Sequence, residues 1–135
     1  MTERLTPEQL RALIDGEGKQ PGRNRNRRVM GAQPIVQDGI RFDSRHEARV
    51  YGTLCLRRRA GEIADLQRQV KIRLLGRDGP ILTPTGRIMH YLADFTWREI
   101  RTDEQVVADA KGHPTEIYLL KRAILAAQGI IILEL

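Results

Sequence analysis

Aromatic side chains are scarce in this chain, at 4% of 135 residues. A basic strand built to stack unpaired bases on Phe, Tyr or Trp is absent from the sequence, so readout of single-stranded nucleic acid finds no support. Cysteine is reduced to Cys55 alone, which excludes an intramolecular disulfide and fits a reducing compartment. Cys55 falls in an apolar helical pattern with no base near it in sequence, and reads as core rather than nucleophile. No apolar run is long enough to span a bilayer, and no basic amphipathic helix rich in Trp or Phe is present, so no membrane partner is expected. Met1-Thr2-Glu3-Arg4-Leu5 lacks the charged-then-apolar layout of a secretory signal, and a cytoplasmic location is expected. His46, His90 and His113 do not have zinc-site spacing.

What the chain has is positive charge. It carries 23 Lys and Arg against 17 Asp and Glu, for a net charge of +6, which favours a polyanionic partner over a small-molecule substrate. A length of 135 residues with 41% hydrophobic content fits one domain around one core.

Thr6-Pro7-Glu8-Gln9 has capping-box spacing with Pro at the first helical position, and Leu10, Leu13 and Ile14 recur at helical intervals. This predicts a short helix ended by Gly16 and Gly18. The run from Lys19 to Arg28 is basic and turn-rich with nothing to bury, and reads as a flexible arm. Residues 1–39 are therefore expected to be helix and arm, and residues 40–135 the compact domain. Within it the pattern predicts a helix from Ser44 to Arg59 with Val50, Tyr51, Leu54 and Cys55 inward, and a strand from Gln69 to Leu75. Further strands are expected over Arg87 to Trp97 and Gln105 to Lys111, joined by a turn at Arg101 to Glu104. A helix from Thr115 to Gln128, with Ile117, Leu120, Ile124 and Ala127 inward, leads past Gly129 to a buried strand at Ile130 to Leu133. The order helix, three strands, helix, strand predicts an α/β fold around a mixed sheet.

The chemistry sits on two of these strands. Asp94 lies in Tyr91-Leu92-Ala93-Asp94-Phe95, and Asp109 and Lys111 lie in Val106-Val107-Ala108-Asp109-Ala110-Lys111. Alternation puts Val107, Asp109 and Lys111 on one face, and Leu92, Asp94 and Thr96 opposite Tyr91, Ala93, Phe95 and Trp97. Charge on otherwise apolar strands is costly unless paired or bound to a metal. Carboxylates that hold Mg²⁺, next to a lysine able to orient or deprotonate water, are what phosphodiester hydrolysis needs.

An acid on one strand followed by acid-x-Lys on the next resembles the PD-(D/E)XK nuclease superfamily. Asp94 matches the first metal-binding acid, Asp109 the second and Lys111 the catalytic lysine; Ala93 stands where the motif has proline. Glu47, in Ser44-Arg45-His46-Glu47-Ala48, matches the glutamate that members often carry on the preceding helix. The ordered set Phe42-Asp43-Ser44, Glu47-Ala48, Ala60-Gly61-Glu62-Ile63, Ala93-Asp94-Phe95, Asp109-Ala110-Lys111-Gly112 and Thr115-Glu116 resembles a small phage and prophage branch, over roughly residues 40 to 135. The resemblance implies a restriction-endonuclease-like αβββαβ core and an Mg²⁺-dependent endodeoxyribonuclease, with Mn²⁺ as substitute. DNA is then the partner, a homodimer and a Holliday-junction-resolvase task are open, and the location is a bacterial host cytoplasm. Metal ligands would come from Asp94, Asp109, the Ala110 carbonyl and Glu47. Glu47 has a rival role, because Ser44 and Glu47 also have capping-box spacing. Arg23, Arg25, Arg27, Arg28 and Lys121 are candidate nucleic-acid contacts, which position a duplex without reading it. The alternative from another class is a non-catalytic basic nucleic-acid-binding or assembly protein on a nuclease-like fold.

Overall fold

Side-chain oxygens set where the helices begin. The computed structural model describes residues 4–16, 35–37, 39–110 and 114–135. In α1 (Pro7–Leu13) Thr6 and Gln9 close a full capping box. Strands β1 (Ile35–Gln37) and β2 (Ile40–Phe42) pair antiparallel. Helix α2 (Arg45–Arg59) starts where Ser44 Oγ accepts the Glu47 backbone N–H at 3.1 Å. Strand β3 (Ile63–Arg73) follows, then the small pair β4 (Leu75–Gly76) and β5 (Gly79–Pro80), then β6 (His90–Glu99) and β7 (Gln105–Asp109). Thr115 caps α3 (Glu116–Ala127), which leads to β8 (Ile132–Glu134).

The main sheet has the order β3-β6-β7-β8. Its first two pairings are antiparallel and β7 runs parallel to β8, so the sheet is mixed. A parallel neighbour needs a crossover, and α3 supplies it. Buried residues form clusters on the two sides of the sheet. Tyr118 and Leu125 of α3 pack with Val70, Ile72, Tyr91, Val107 and Ile132, while Leu54 of α2 packs with Ile63, Phe95, Trp97, Ala108 and Ala110. The expected α/β class with a mixed sheet is observed, while β1, β2, β4 and β5 are additional to the expected order.

Strict alternation fails at Asp94. Tyr91 and Ala93 belong to the α3 cluster, but Phe95 and Trp97 belong to the α2 cluster, so the strand changes faces between Ala93 and Phe95. The neighbouring strand is irregular at the same level. Gln69 falls between Arg68, opposite Phe95, and Val70, opposite Ala93, which sets it at the level of Asp94; its φ is +52°. A single left-handed residue in a strand turns the chain over, as in a bulge. A second irregularity, with Asp65 at φ +57°, shifts the register between Ala64 and Gln67. These kinks explain why the sequence pattern shows only the part of β3 from Gln69 on.

Two expectations need correction. The N-terminal helix is not apart from the domain. Leu10 is buried in the α3-side cluster, Leu5 N–H donates to Gly129 O at 3.2 Å, and Asp15 N–H donates to Lys71 O at 3.0 Å. The compact unit thus draws on residues before 40, including β1. The arm from Lys19 to Arg28 lies outside the described residues.

The inward stripe of α3 agrees with the expected one only at Ile124, which packs against the α3-side cluster. Tyr118 and Leu125 face the sheet, whereas Ile117, Leu119 and Leu120 are exposed. Apolar residues occupy most positions of this helix, so hydrophobicity alone admits two registers, and polar anchors decide between them. Lys121 Nζ donates to His90 O at 2.8 Å, Gln128 Nε2 to Arg73 O at 3.1 Å and Tyr118 Oη to Glu134 Oε1 at 3.2 Å, while Arg122 pairs with Glu134. These long side chains bury their stems and bond at the rim.

The burial contrast gives a test. Leu10 is 3% exposed and Ile117 67% exposed. Leu10→Ala is expected to cost about 2–5 kcal/mol of unfolding free energy in urea, because it empties a packed site. Ile117→Ala is expected to stay within about 0.5 kcal/mol of wild type, because it removes little burial.

Candidate functional site

Continuing the register from Phe95 opposite Ala108 brings Asp94 and Asp109 face to face across β6 and β7. There the side chains bridge the strands. Asp94 N–H donates to Asp109 Oδ1 at 3.0 Å, and Ala110 N–H donates to Asp94 Oδ2 at 3.0 Å. Both bonds are buried, with Asp94 9% exposed and Asp109 fully enclosed at 0%. Charge-assisted bonds from backbone amides offset part of the cost of burying these carboxylates.

Glu47 joins them from the first turn of α2, and is 5% exposed. Half of the capping box at this helix is present, since Ser44 Oγ takes the Glu47 backbone N–H. The Glu47 side chain does not complete the box. Its Oε1 accepts from Gln69 Nε2 at 3.2 Å, and its charge feels the Asp43 backbone N–H and the Arg68 guanidinium. Burial is the main reason that its carboxyl is pushed up to about 7, with the charges of Asp94 and Asp43 adding to the effect. The carboxylate thus lies beside Asp94 and bonds to β3 and to the Asp43 backbone, while Ser44 Oγ caps the helix.

Tyr118 lines the other side. Its phenol is pushed up to about 12, first by burial and then by the charges of Asp109 and Glu134. Tyr118 is thus a buried neighbour of the acids. Lys121, expected to reach a nucleic-acid backbone, turns inward to His90 O instead. Lys111 with its neighbours Gly112 and His113, and Arg23, Arg25, Arg27 and Arg28, lie outside the described residues. His90 pairs with Asp15, and His46 meets Leu135 O.

The structure thus brings together Glu47, Asp94, Asp109 and the Ala110 backbone. The donors are hard oxygens of the kind Mg²⁺ takes. Among the described residues no three His, Cys, Asp or Glu side chains are disposed to close around one ion. Two members of the site escaped the sequence reading. Gln69 looked like an ordinary strand opening, and its reach to Glu47 comes from a left-handed φ that the sequence does not announce. Arg68 is buried, with its guanidinium 4.5 Å from the Phe42 ring centre and 5.5 Å from that of Tyr51. The run Gln67-Arg68-Gln69, three polar residues inside a strand, was the available signal.

Over residues 27–130 the chain matches the family described as protein of unknown function, DUF1064. The chain belongs to that family. No curated protein and no solved structure matches it. The DUF1064 segment spans Glu47, Gln69, Asp94, Asp109 and Lys111, and leaves α1 and β8 outside it.

Glu47 ties the site to pH. Its folded carboxyl, raised to about 7 from 4.5, keeps its proton while the unfolded one ionises. Its contribution to metal-free stability is therefore most favourable below about pH 4.5, falls as pH rises through that window, and levels off above about pH 7. Glu47→Gln retains an acceptor for Gln69 and removes the dependence. Urea unfolding in EDTA is expected to show near-equal stability at pH 4.5. At pH 8 the variant should be more stable, by an amount on the order of 3 kcal/mol. A pH-independent offset would show that burial does not set the Glu47 carboxyl.

Proposed function

We propose that the protein is an Mg²⁺-dependent endodeoxyribonuclease of phage type, on a restriction-endonuclease-like αβββαβ core. The observation that carries the reading is the gathering of three buried carboxylates, Glu47, Asp94 and Asp109, from α2, β6 and β7 at one end of a mixed sheet. Such a concentration of negative charge in a core is costly by itself and suits a divalent cation.

Asp94, Asp109, Glu47 and the Ala110 carbonyl would hold Mg²⁺, which when bound offsets charge on a phosphodiester and lowers the pKa of water. The chain's own part is positional. The reciprocal bonds, from Asp94 N–H to Asp109 Oδ1 and from Ala110 N–H to Asp94 Oδ2, fix the two aspartates relative to each other. Lys111, two residues beyond Asp109, would orient the attacking water and hold or move a proton at Nζ. The net charge of +6 supports a DNA partner and supplies affinity without sequence readout. No helix among the described residues is long and apolar enough to cross a membrane. A cytoplasmic setting, a homodimer and selectivity for branched DNA extend the same reading.

Cleavage of linear, supercoiled, single-stranded and four-way-junction DNA, compared in Mg²⁺, Mn²⁺ and EDTA, tests it. Activity is expected in Mg²⁺ or Mn²⁺ and none in EDTA. Asp94→Asn and Asp109→Asn are expected to abolish turnover. Lys111→Ala should remove most of the rate while DNA affinity stays within a few-fold, since one ammonium is a small part of the electrostatic footprint. DNA binding without cleavage in either metal would favour the non-catalytic nucleic-acid-binding protein. Undiminished cleavage in EDTA would overturn the metal mechanism.

A further inference from the structure

Gln69 stands in a conformation that its residue type does not favour. Its φ of +52° lies in the left-handed region, where Gly, Asn and Asp are at ease and a longer side chain is strained. Asp65 and Asp103, the other described non-glycine residues with positive φ, are of the tolerant kind. At Gln69 the backbone alone would be better served by Gly or Asn, so the side chain must contribute something that they would not.

Three observations say what that is. Gln69 and Asp94 occupy the same level of the β3–β6 pair, between Arg68 opposite Phe95 and Val70 opposite Ala93. Its Nε2 donates to Glu47 Oε1 at 3.2 Å, linking β3 to the first turn of α2. The strands β3 and β6 both change faces at this level: Arg68 packs against Phe42 and Tyr51 while Val70 and Ala93 join the α3 cluster, and Phe95 joins the α2 cluster. Apart from Gln69 the Glu47 carboxylate has a backbone hydrogen bond to Asp43, and one anchor leaves a glutamate more rotamer freedom than two. A second donor, held on a kinked strand, narrows that freedom further.

We propose that Gln69 is a positioning residue of this site, whose amide, presented by the left-handed kink of β3, holds the Glu47 carboxylate beside Asp94 for a divalent cation. The inference rests on the metal-site reading above and deepens it by naming the residue that orients one ligand. Partners that orient ligands in this way are worth roughly 10–100-fold in metal affinity when removed.

The test is binding of Mn²⁺ alone to the full chain, by calorimetry or electron paramagnetic resonance, with thermal melting in EDTA as the structural control. Gln69→Gly removes the amide and relieves the backbone; Gln69→Asn also tolerates the kink but is one methylene too short to reach Glu47. Both variants are expected to melt no lower than wild type in EDTA and to bind Mn²⁺ at least ten-fold more weakly. If one variant fails to fold, the other still gives the answer. Wild-type binding retained within two-fold in a folded variant would overturn the role of Gln69 and leave the carboxylate site standing. Absence of Mn²⁺ binding by the wild type would overturn the site reading and this inference with it.

Discussion

The pair of buried bonds between Asp94 and the β7 backbone, and between Asp109 and the β6 backbone, is the constraint around which the sheet is arranged. Up to Phe95 and Ala108 the two strands pair through main-chain atoms. One step further the main-chain pairing ends, and each aspartate reaches across to an amide of the facing strand. Secondary structure normally satisfies buried amides with carbonyls. Here carboxylates do so, which ties two charged groups into the ladder and prevents either from rotating to solvent. The sheet can open at this end while the strands stay joined.

That arrangement accounts for the change of faces. If β6 kept strict alternation, Tyr91, Ala93, Phe95 and Trp97 would all serve one cluster and the other helix would lack its aromatic cover. With the inversion, Tyr91 packs near Tyr118 of α3, and Phe95 stacks near Tyr51 of α2, with ring centres 6.1 Å apart in each case. A single strand thus supplies aromatic mass to both layers of a chain that has few aromatics to spend. Glu47 is enclosed by the same device, because the kink that turns β3 over at Gln69 also brings its amide to the carboxylate.

The sequence made the elements and their order legible where pattern and chemistry agree. Ser44 and Thr115 mark helix starts, Gly61 and Gly129 follow helix ends, and the apolar runs around Asp94 and Asp109 stand out as strands. It made the acids legible for the same reason, since charge in an apolar run is conspicuous. It was silent on whatever depends on long-range geometry. Leu10 looks like part of a detached amphipathic helix until the α3-side cluster is assembled around it. The facing of α3 was open because Ile117, Leu120, Leu119 and Leu125 offer more apolar surface than one face can bury. The choice falls to Tyr118, Lys121 and Gln128, whose bonding partners lie 16 to 55 residues away in sequence.

The same reasoning separates Glu47 as a cap from Glu47 as a site residue. A capping glutamate completes its bonds within one helical turn and gains nothing from a partner on a sheet. Glu47 leaves the reciprocal half of its box unmade, although Gln9 in α1 makes the equivalent bond to Thr6 without difficulty. The carboxyl turns instead towards β3, where burial and the charge of Asp94 both oppose its ionisation. Its local bond goes to the Asp43 backbone rather than to the N-cap amide, and its setting disfavours the charged form, a cost that the proposed metal site would offset. The strained backbone of Gln69 points the same way, and the two costs fall on the two ends of one hydrogen bond. Folding alone would relax both. Their occurrence together at the level of Asp94 is what the proposed site accounts for and what packing alone does not require.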